Sequence, residues 1–146
     1  MAKLYIACDH AGYKLKEHLK PMLAQKGYQI QDLGTENEAS VDYPDYAKRV
    51  AQAVLQDDEG KGILICGTGI GMSIAANKFQ GIRAALCRTE FEAQMARNHN
   101  NANVICVGAR AIQDAVAERI VAKFCESEFE GGRHQKRLDK VAALES

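Results

Sequence analysis

Cys66 opens the run Cys66-Gly67-Thr68-Gly69-Ile70-Gly71, directly behind the apolar stretch Ile63-Leu64-Ile65. Glycines at alternate positions let the backbone turn its N–H groups inward, making an anion-holding nest ahead of a helix. A thiol beside such amides is expected to ionise more readily and to act as a nucleophile or a base. The ordinary fate of a cysteine is an inert buried thiol, and that is the expectation for Cys87, Cys106 and Cys125. No lysine follows the glycines, so this is not a Walker A loop. The third glycine comes one residue early for G-x-G-x-x-G. On spacing alone, phosphate or dinucleotide binding and a tight turn that binds nothing both stay open.

Further polar residues fall near the ends of apolar runs. Asp9 and His10 follow the first run, and Arg110 follows the last. His99 and Asn100 sit in an asparagine-rich segment just before that last run. Arg133 and Arg137 are four apart on one helical face, beside Lys136 and Lys140. They form either a solvated basic stripe or a guanidinium clamp for phosphate. These polar groups are expected to cluster at one end of a sheet. No histidine pair has i, i+4 spacing, and no H-E-x-x-H or Cys/His cluster occurs, so no metal site is expected.

The elements that must position these residues alternate along the chain. Near-continuous apolar runs at 3–8, 62–66, 81–87 and 103–108 suit parallel strands covered on both faces, and 28–33 alternates like a strand. Helical patterns fill 12–27, with Pro21 as an expected kink, then the segment opened by Pro44, and 72–79, 90–99 and 111–125. Five strands alternating with helices predict a Rossmann-like three-layer α/β/α sandwich with a largely parallel sheet. In such a sheet ligands bind at the carboxyl ends of the strands. After a Gly-Gly hinge, 131–146 predicts an extra C-terminal helix lying on its own domain or on a neighbouring subunit.

The totals narrow the classes. At 146 residues, 1–146 is expected to be a single domain; 47% apolar and 26% charged residues are ordinary for a globular protein. Zero formal net charge weighs against a nucleic-acid binder, and no apolar run approaches a membrane span. The start of the chain carries no secretory pattern. Five widely spaced cysteines without a C-x-x-C pair fit a reduced, cytoplasmic protein.

Five segments taken together resemble one family. "CDHAG", "DYPDYA", "GILICGTGIGMSIAANKFQGIRAALC", "RNHNNANV" and "EGGRHQKR" stand in the order found in ribose-5-phosphate isomerase B, of the RpiB/LacAB sugar-phosphate isomerases. The likeness covers essentially the whole chain. It implies an aldose–ketose isomerase of the pentose phosphate pathway, working without metal or organic cofactor. Galactose-6-phosphate and allose-6-phosphate isomerases belong to the same family. Carried over by position, Cys66 matches the catalytic base, and Thr68 and His99 match residues assisting ring opening and proton transfer at oxygen. Gly67, Gly69, Ile70 and Gly71 match the anion hole. Asp9, His10 and Asn100 match sugar- or phosphate-contacting positions, and Arg110, Arg133 and Arg137 the phosphate grip. Some members use a glutamate instead of the cysteine; this chain resembles the cysteine branch.

The resemblance also implies a homodimer or a dimer of dimers. Its sites would join Cys66 and His10 of one subunit to His99, Asn100 and the tail arginines of the other. The partner is then a small sugar phosphate, with neither nucleic acid nor membrane. Two rivals remain at this level. One is a nucleotide-binding module. The other is a thiol redox protein in which Cys8 lies near Cys66.

Overall fold

The computed structural model describes residues 2–145. Five strands form one sheet: β1 (Lys3–Cys8), β2 (Gln29–Asp32), β3 (Lys61–Cys66), β4 (Ala84–Leu86) and β5 (Val104–Gly108). Their order is β2-β1-β3-β5-β4, and every pairing is parallel. Among the described residues, six α-helices and a short 3-10 turn (His10–Gly12) accompany the sheet: α1 (Tyr13–Gln25), α2 (Tyr43–Leu55), α3 (Ile70–Ala76), α4 (Glu90–Asn98), α5 (Asp114–Glu126) and α6 (Arg133–Ala142). This is the expected three-layer sandwich with an added C-terminal helix.

The alternation of side chains along each strand builds two cores. Ile6, Ile63, Ile65, Ile105 and Val107 point to one face, where Leu15, Leu19 and Leu23 of α1, Ala93 of α4 and Ile120, Val121 and Phe124 of α5 cover them. Ala7, Leu64, Val104 and Cys106 point to the other, under Val50, Ala51 and Val54 of α2 and Met72 and Ala76 of α3. With both faces covered, the central strands have no polar positions to alternate with.

Three boundaries differ from the sequence expectation. The fourth strand is three residues long instead of the full apolar run, because Gly81 has a φ of +88° and the Arg83 N–H donates to the Asn103 side chain. The third helix starts inside the glycine loop, at Ile70, and ends at Ala76. Helix α1 runs through Pro21 to Gln25 without interruption.

Topology places a crevice at one point. The connection leaving β1 through α1 runs outward to β2 on one face. The connection leaving β3 through α3 runs the opposite way to β4 on the other face. The carboxyl ends of β1 and β3 are thus a topological switch point, where ligands of open α/β sheets bind.

Candidate active site

Asp9 and His10 leave β1 at this switch point, and Cys66 ends β3 beside them. The Asp9 N–H donates to the Ile65 carbonyl at 3.1 Å, tying the two strand ends together. Asp9 is 7% exposed, and its Oδ1 accepts from the N–H groups of Ala11 and Gly12 at 2.9 and 3.2 Å. That leaves Oδ2 without a partner among the described residues. The Val41 N–H donates to His10 Nδ1 at 3.2 Å. This fixes the neutral tautomer with its proton on Nε2, leaving Nε2–H as the free donor.

Cys66 is 5% exposed, and the Gly69 N–H donates to its sulfur at 3.2 Å. Gly69 reaches that position only with a φ of +81°, a conformation that costs an ordinary residue about 1–2 kcal/mol. Thr68 Oγ1 accepts from the Ile70 N–H at 3.2 Å, and the first helical bond runs from the Ser73 N–H to the Gly69 carbonyl. The amides of Gly71 and Met72 therefore precede the first helical bond. From β5, the Ala109 N–H donates to the Cys66 carbonyl and the Arg110 N–H to the Gly67 carbonyl, at 2.8 and 2.9 Å. Arg110 thus stands over the loop's first glycine.

Burial pushes the pKa of the Cys8 thiol up to about 11, and those of Cys87 and Cys125 up to about 12. It drives Cys106 well above the ordinary value, with the neighbouring Cys66 and Cys87 adding to the effect. Cys8 packs on the opposite face of the sheet from Cys66. The redox rival expected Cys8 near Cys66; the alternation of β1 and β3 separates their side chains.

The remaining residues form a second group elsewhere. Helix α4 returns from the carboxyl end of β4 to the amino end of β5, so His99 and Asn100 arrive at the amino edge of the sheet. Val104 pairs with Gly62 at that edge and Gly108 with Cys66 at the other. The rise between those levels is about 13 Å. The expectation of one cluster within one chain is therefore corrected: parallel strands force the segment before β5 to the end opposite the segment after β3.

Helix α6 joins this second group. The Glu130 N–H donates to the Asn98 carbonyl, and the His134 ring stacks on His99 with centroids 4.2 Å apart and planes 15° apart. Glu130 Oε1 lies 3.7 Å from His99 Nε2 and 3.5 Å from His134 Nε2. Arg133 and Arg137, with Lys136 and Lys140, line an adjoining cleft of about 350 Å³. One group thus holds Asp9, His10, Cys66 to Gly71 and Arg110; the other holds His99, Asn100, Arg133 and Arg137.

Among the described residues, His99, Glu130 and His134 alone have ligand atoms close enough to share a metal ion, all within 4.8 Å. An imidazole lone pair lies in its ring plane, and two nearly parallel planes cannot both aim at one ion. Burial, then His99 and Arg133, lower the pKa of His134, so positive charge already crowds the spot. The trio is therefore poorly arranged to hold a cation.

Two contacts escaped the sequence reading. The Tyr43 ring presses on the glycine loop so closely that a Cβ on Gly71 would lie 2.6 Å from its Cζ and 3.0 Å from its Oη. His134 buttresses His99. Neither has a periodicity or spacing signal; only the "DYPDYA" and "EGGRHQKR" segments contain them.

Comparison with known proteins agrees with this architecture. Residues 4–141 match the family model described as Ribose/Galactose Isomerase. Ribose-5-phosphate isomerase B of Escherichia coli K12 is 44% identical, over 99% of this chain and 97% of that protein. The crystal structure of a Thermotoga maritima ribose 5-phosphate isomerase is 50% identical, with a TM-score of 0.93 and 97% of each chain covered. A Mycoplasma genitalium ribose-5-phosphate isomerase B solved with bound ribulose-5-phosphate is 44% identical, with a TM-score of 0.94, covering 99% of this chain and 96% of that one. The match spans both groups of site residues and the strands that carry them, and the chain belongs to the Ribose/Galactose Isomerase family.

Proposed function

We propose that the chain interconverts D-ribose 5-phosphate and D-ribulose 5-phosphate, with Cys66 as the base and no cofactor. The observation that carries the reading is the Cys66 sulfur, held by the Gly69 N–H at the switch point, next to the amides of Gly71 and Met72 that precede the first helical bond. Isomerisation takes a proton from the carbon beside a carbonyl and leaves an enediolate. A thiolate can take that proton from C2 and return it to C1. The loop amides can hold the oxygen charge that develops meanwhile, a contribution of about 10²–10³ in rate per donor. Base and oxyanion donors must stand side by side, and a cysteine opening a glycine loop supplies both.

The furanose ring must open first. A proton leaves the C1 hydroxyl, the bond from C1 to the ring oxygen breaks, and that oxygen takes up a proton. An imidazole ring can both take up and give a proton, and His99 supplies one for this exchange. Thr68 stands beside the base to assist the proton moving from the C2 oxygen to the C1 oxygen. Asp9 Oδ2 and His10 Nε2–H offer an acceptor and a donor to sugar or phosphate oxygens, Asn100 adds an amide, and Arg110, Arg133 and Arg137 grip the phosphate.

These roles require a second copy of the chain. His99 and the tail arginines lie at the wrong end of their own sheet for their own Cys66. Helix α3 supports a homodimeric contact beside the base, because Ile70 and Ile74 share one face and are 51% and 58% exposed. The relatives named above, one with ribulose-5-phosphate bound, support the choice of pentose phosphate. Turnover of ribose, allose and galactose phosphates, measured side by side with native chain and Cys66→Ala, tests the reading. Ribose 5-phosphate should be turned over fastest and the variant should be inactive. Faster turnover of a hexose phosphate would reassign the substrate, and an active variant would remove Cys66 as the base.

A further inference from the structure

At the amino-terminal end of the sheet, opposite Cys66, lies a polar cavity of about 240 Å³ between the loops that enter β3, β4 and β5. Lys61, Arg83 and Arg97 line it. Arg97 is only 6% exposed, and its Nη1 donates to the Ala102 carbonyl and the Asn101 side chain at 2.7 and 2.9 Å. The Arg83 Nε donates to the Asn101 carbonyl at 2.8 Å. The neighbours of both guanidiniums are neutral oxygens, and neither has a carboxylate in ion-pair range among the described residues. Lys61 is half-buried and has neither a hydrogen-bond acceptor nor a counter-ion among the described residues. Burial, and then the charge of Arg97, push its ammonium below the usual lysine value.

Carboxylates act on the cluster only from beyond contact: Asp57 and Asp58 line the same cavity, Asp57 and Glu59 favour the charged Lys61, and Glu145 and Glu128 do the same for Arg83 and Arg97. Asp57 accepts from the Tyr5 hydroxyl at 2.8 Å and from the N–H groups of Glu59 and Gly60. Asp58 is exposed at the rim. Glu145 accepts from the Gly81 N–H at 2.9 Å. Three cations around one polar cavity, with no carboxylate in contact ion-pair range among the described residues, repel one another at a cost that grows as water is excluded. Arg97 and Arg83 are already locked by carbonyls; Lys61 alone has its donors free to turn into the space.

We infer that this cavity is a second anion site, taking a tetrahedral oxyanion of the phosphate class between Lys61, Arg83 and Arg97. The volume holds such an ion with bridging waters. The site is independent of the proposed catalytic assignment, since it shares no residue with it. It does lie directly under the segment that carries His99 and Asn100, because Asn101 is the residue both arginines hold.

The test uses the full chain, labelled with ¹⁵N and titrated with inorganic phosphate at constant ionic strength, with glycerol 3-phosphate in parallel to separate free ion from ester. The backbone amides of Gly60, Lys61 and Asn103 should shift along a saturating curve of their own, separate from that of Gly67 to Gly71. Lys61→Met should weaken that curve by about tenfold or more and leave the loop curve unchanged, while Lys61→Arg should keep most of the affinity. Amides at 60, 61 and 103 that fail to saturate in the native chain would overturn the inference, whatever the variants do. So would an unchanged curve in a folded Lys61→Met chain.

Discussion

Gly108 ends β5 directly under the loop that carries Cys66, and adding one methyl group there should slow the proposed isomerisation without touching any reacting atom. A Cβ at Gly108 would lie 2.5 Å from the carbonyl carbon and oxygen of Thr68 and 2.7 Å from its Cα. Ordinary contact begins near 3.5 Å, and backbone cannot rotate aside as a side-chain tip can, so the loop must move by about 1 Å. A misplacement of that size costs about 10²-fold in rate. Overpacking should also cost about 1–3 kcal/mol of stability. Gly62→Ala supplies the control. Its Cβ would meet Val50, Val54 and Val104 methyls at 2.5–3.2 Å, in the same core but at the far end of the strands. The two variants should lose comparable stability by urea unfolding, yet only Gly108→Ala should lose kcat, by about 10²-fold. If Gly108→Ala kept kcat within about threefold while losing as much stability as Gly62→Ala, the geometric argument for the loop would be refuted.

Arg137→Ala should raise KM for ribose 5-phosphate more than about tenfold, and Arg137→Lys should restore only part, because an ammonium lacks the fork that matches phosphate oxygens. An unchanged KM in the alanine variant would make the α6 arginines a solvated stripe. Asp32 gives a pH signature. Burial alone would raise its pKa, but hydrogen bonds from Lys16, Lys20 and the Gly34 N–H outweigh it and hold the carboxyl below the usual value. Its contribution is therefore full above the unfolded carboxylate range near pH 4 and fades as pH falls through the folded value. Asp32→Asn should abolish that acid-side loss. It should also cost about 3 kcal/mol at neutral pH, since Lys16 is 1% exposed and would lose its close counter-charge, keeping neutral oxygens and a 3.7 Å contact with Glu17. Urea midpoints for both chains from pH 3 to 7 check both statements.

Much of this architecture was open to reading because its physics is local. The runs 62–66 and 103–108 are apolar at nearly every position since helices cover both faces of β3 and β5, and the glycine loop declares itself by composition. The position of His99 was less visible. Its distance from Cys66 follows from a rule about direction: a helix joining parallel strands must return to the amino edge. Residue types do not announce that rule. Tyr43 and His134 escaped because their contacts, with Gly71 and His99, join segments far apart in the chain. The shortened β4 had the same cause. Its first residues are apolar enough for a strand, but Arg83 and Asn103 bond to each other across the sheet edge instead.

The central claim is that two copies of the chain build one isomerase site from groups at opposite ends of their sheets. Mixing Cys66→Ala chains with His99→Asn chains, each expected to be inactive alone, tests it directly. In each mixed dimer one site carries both lesions and the other carries neither. Activity should therefore reappear on subunit exchange, at about half the native value per mixed dimer. Verified mixed dimers that stay inactive, with native-like unfolding midpoints, would contradict the account.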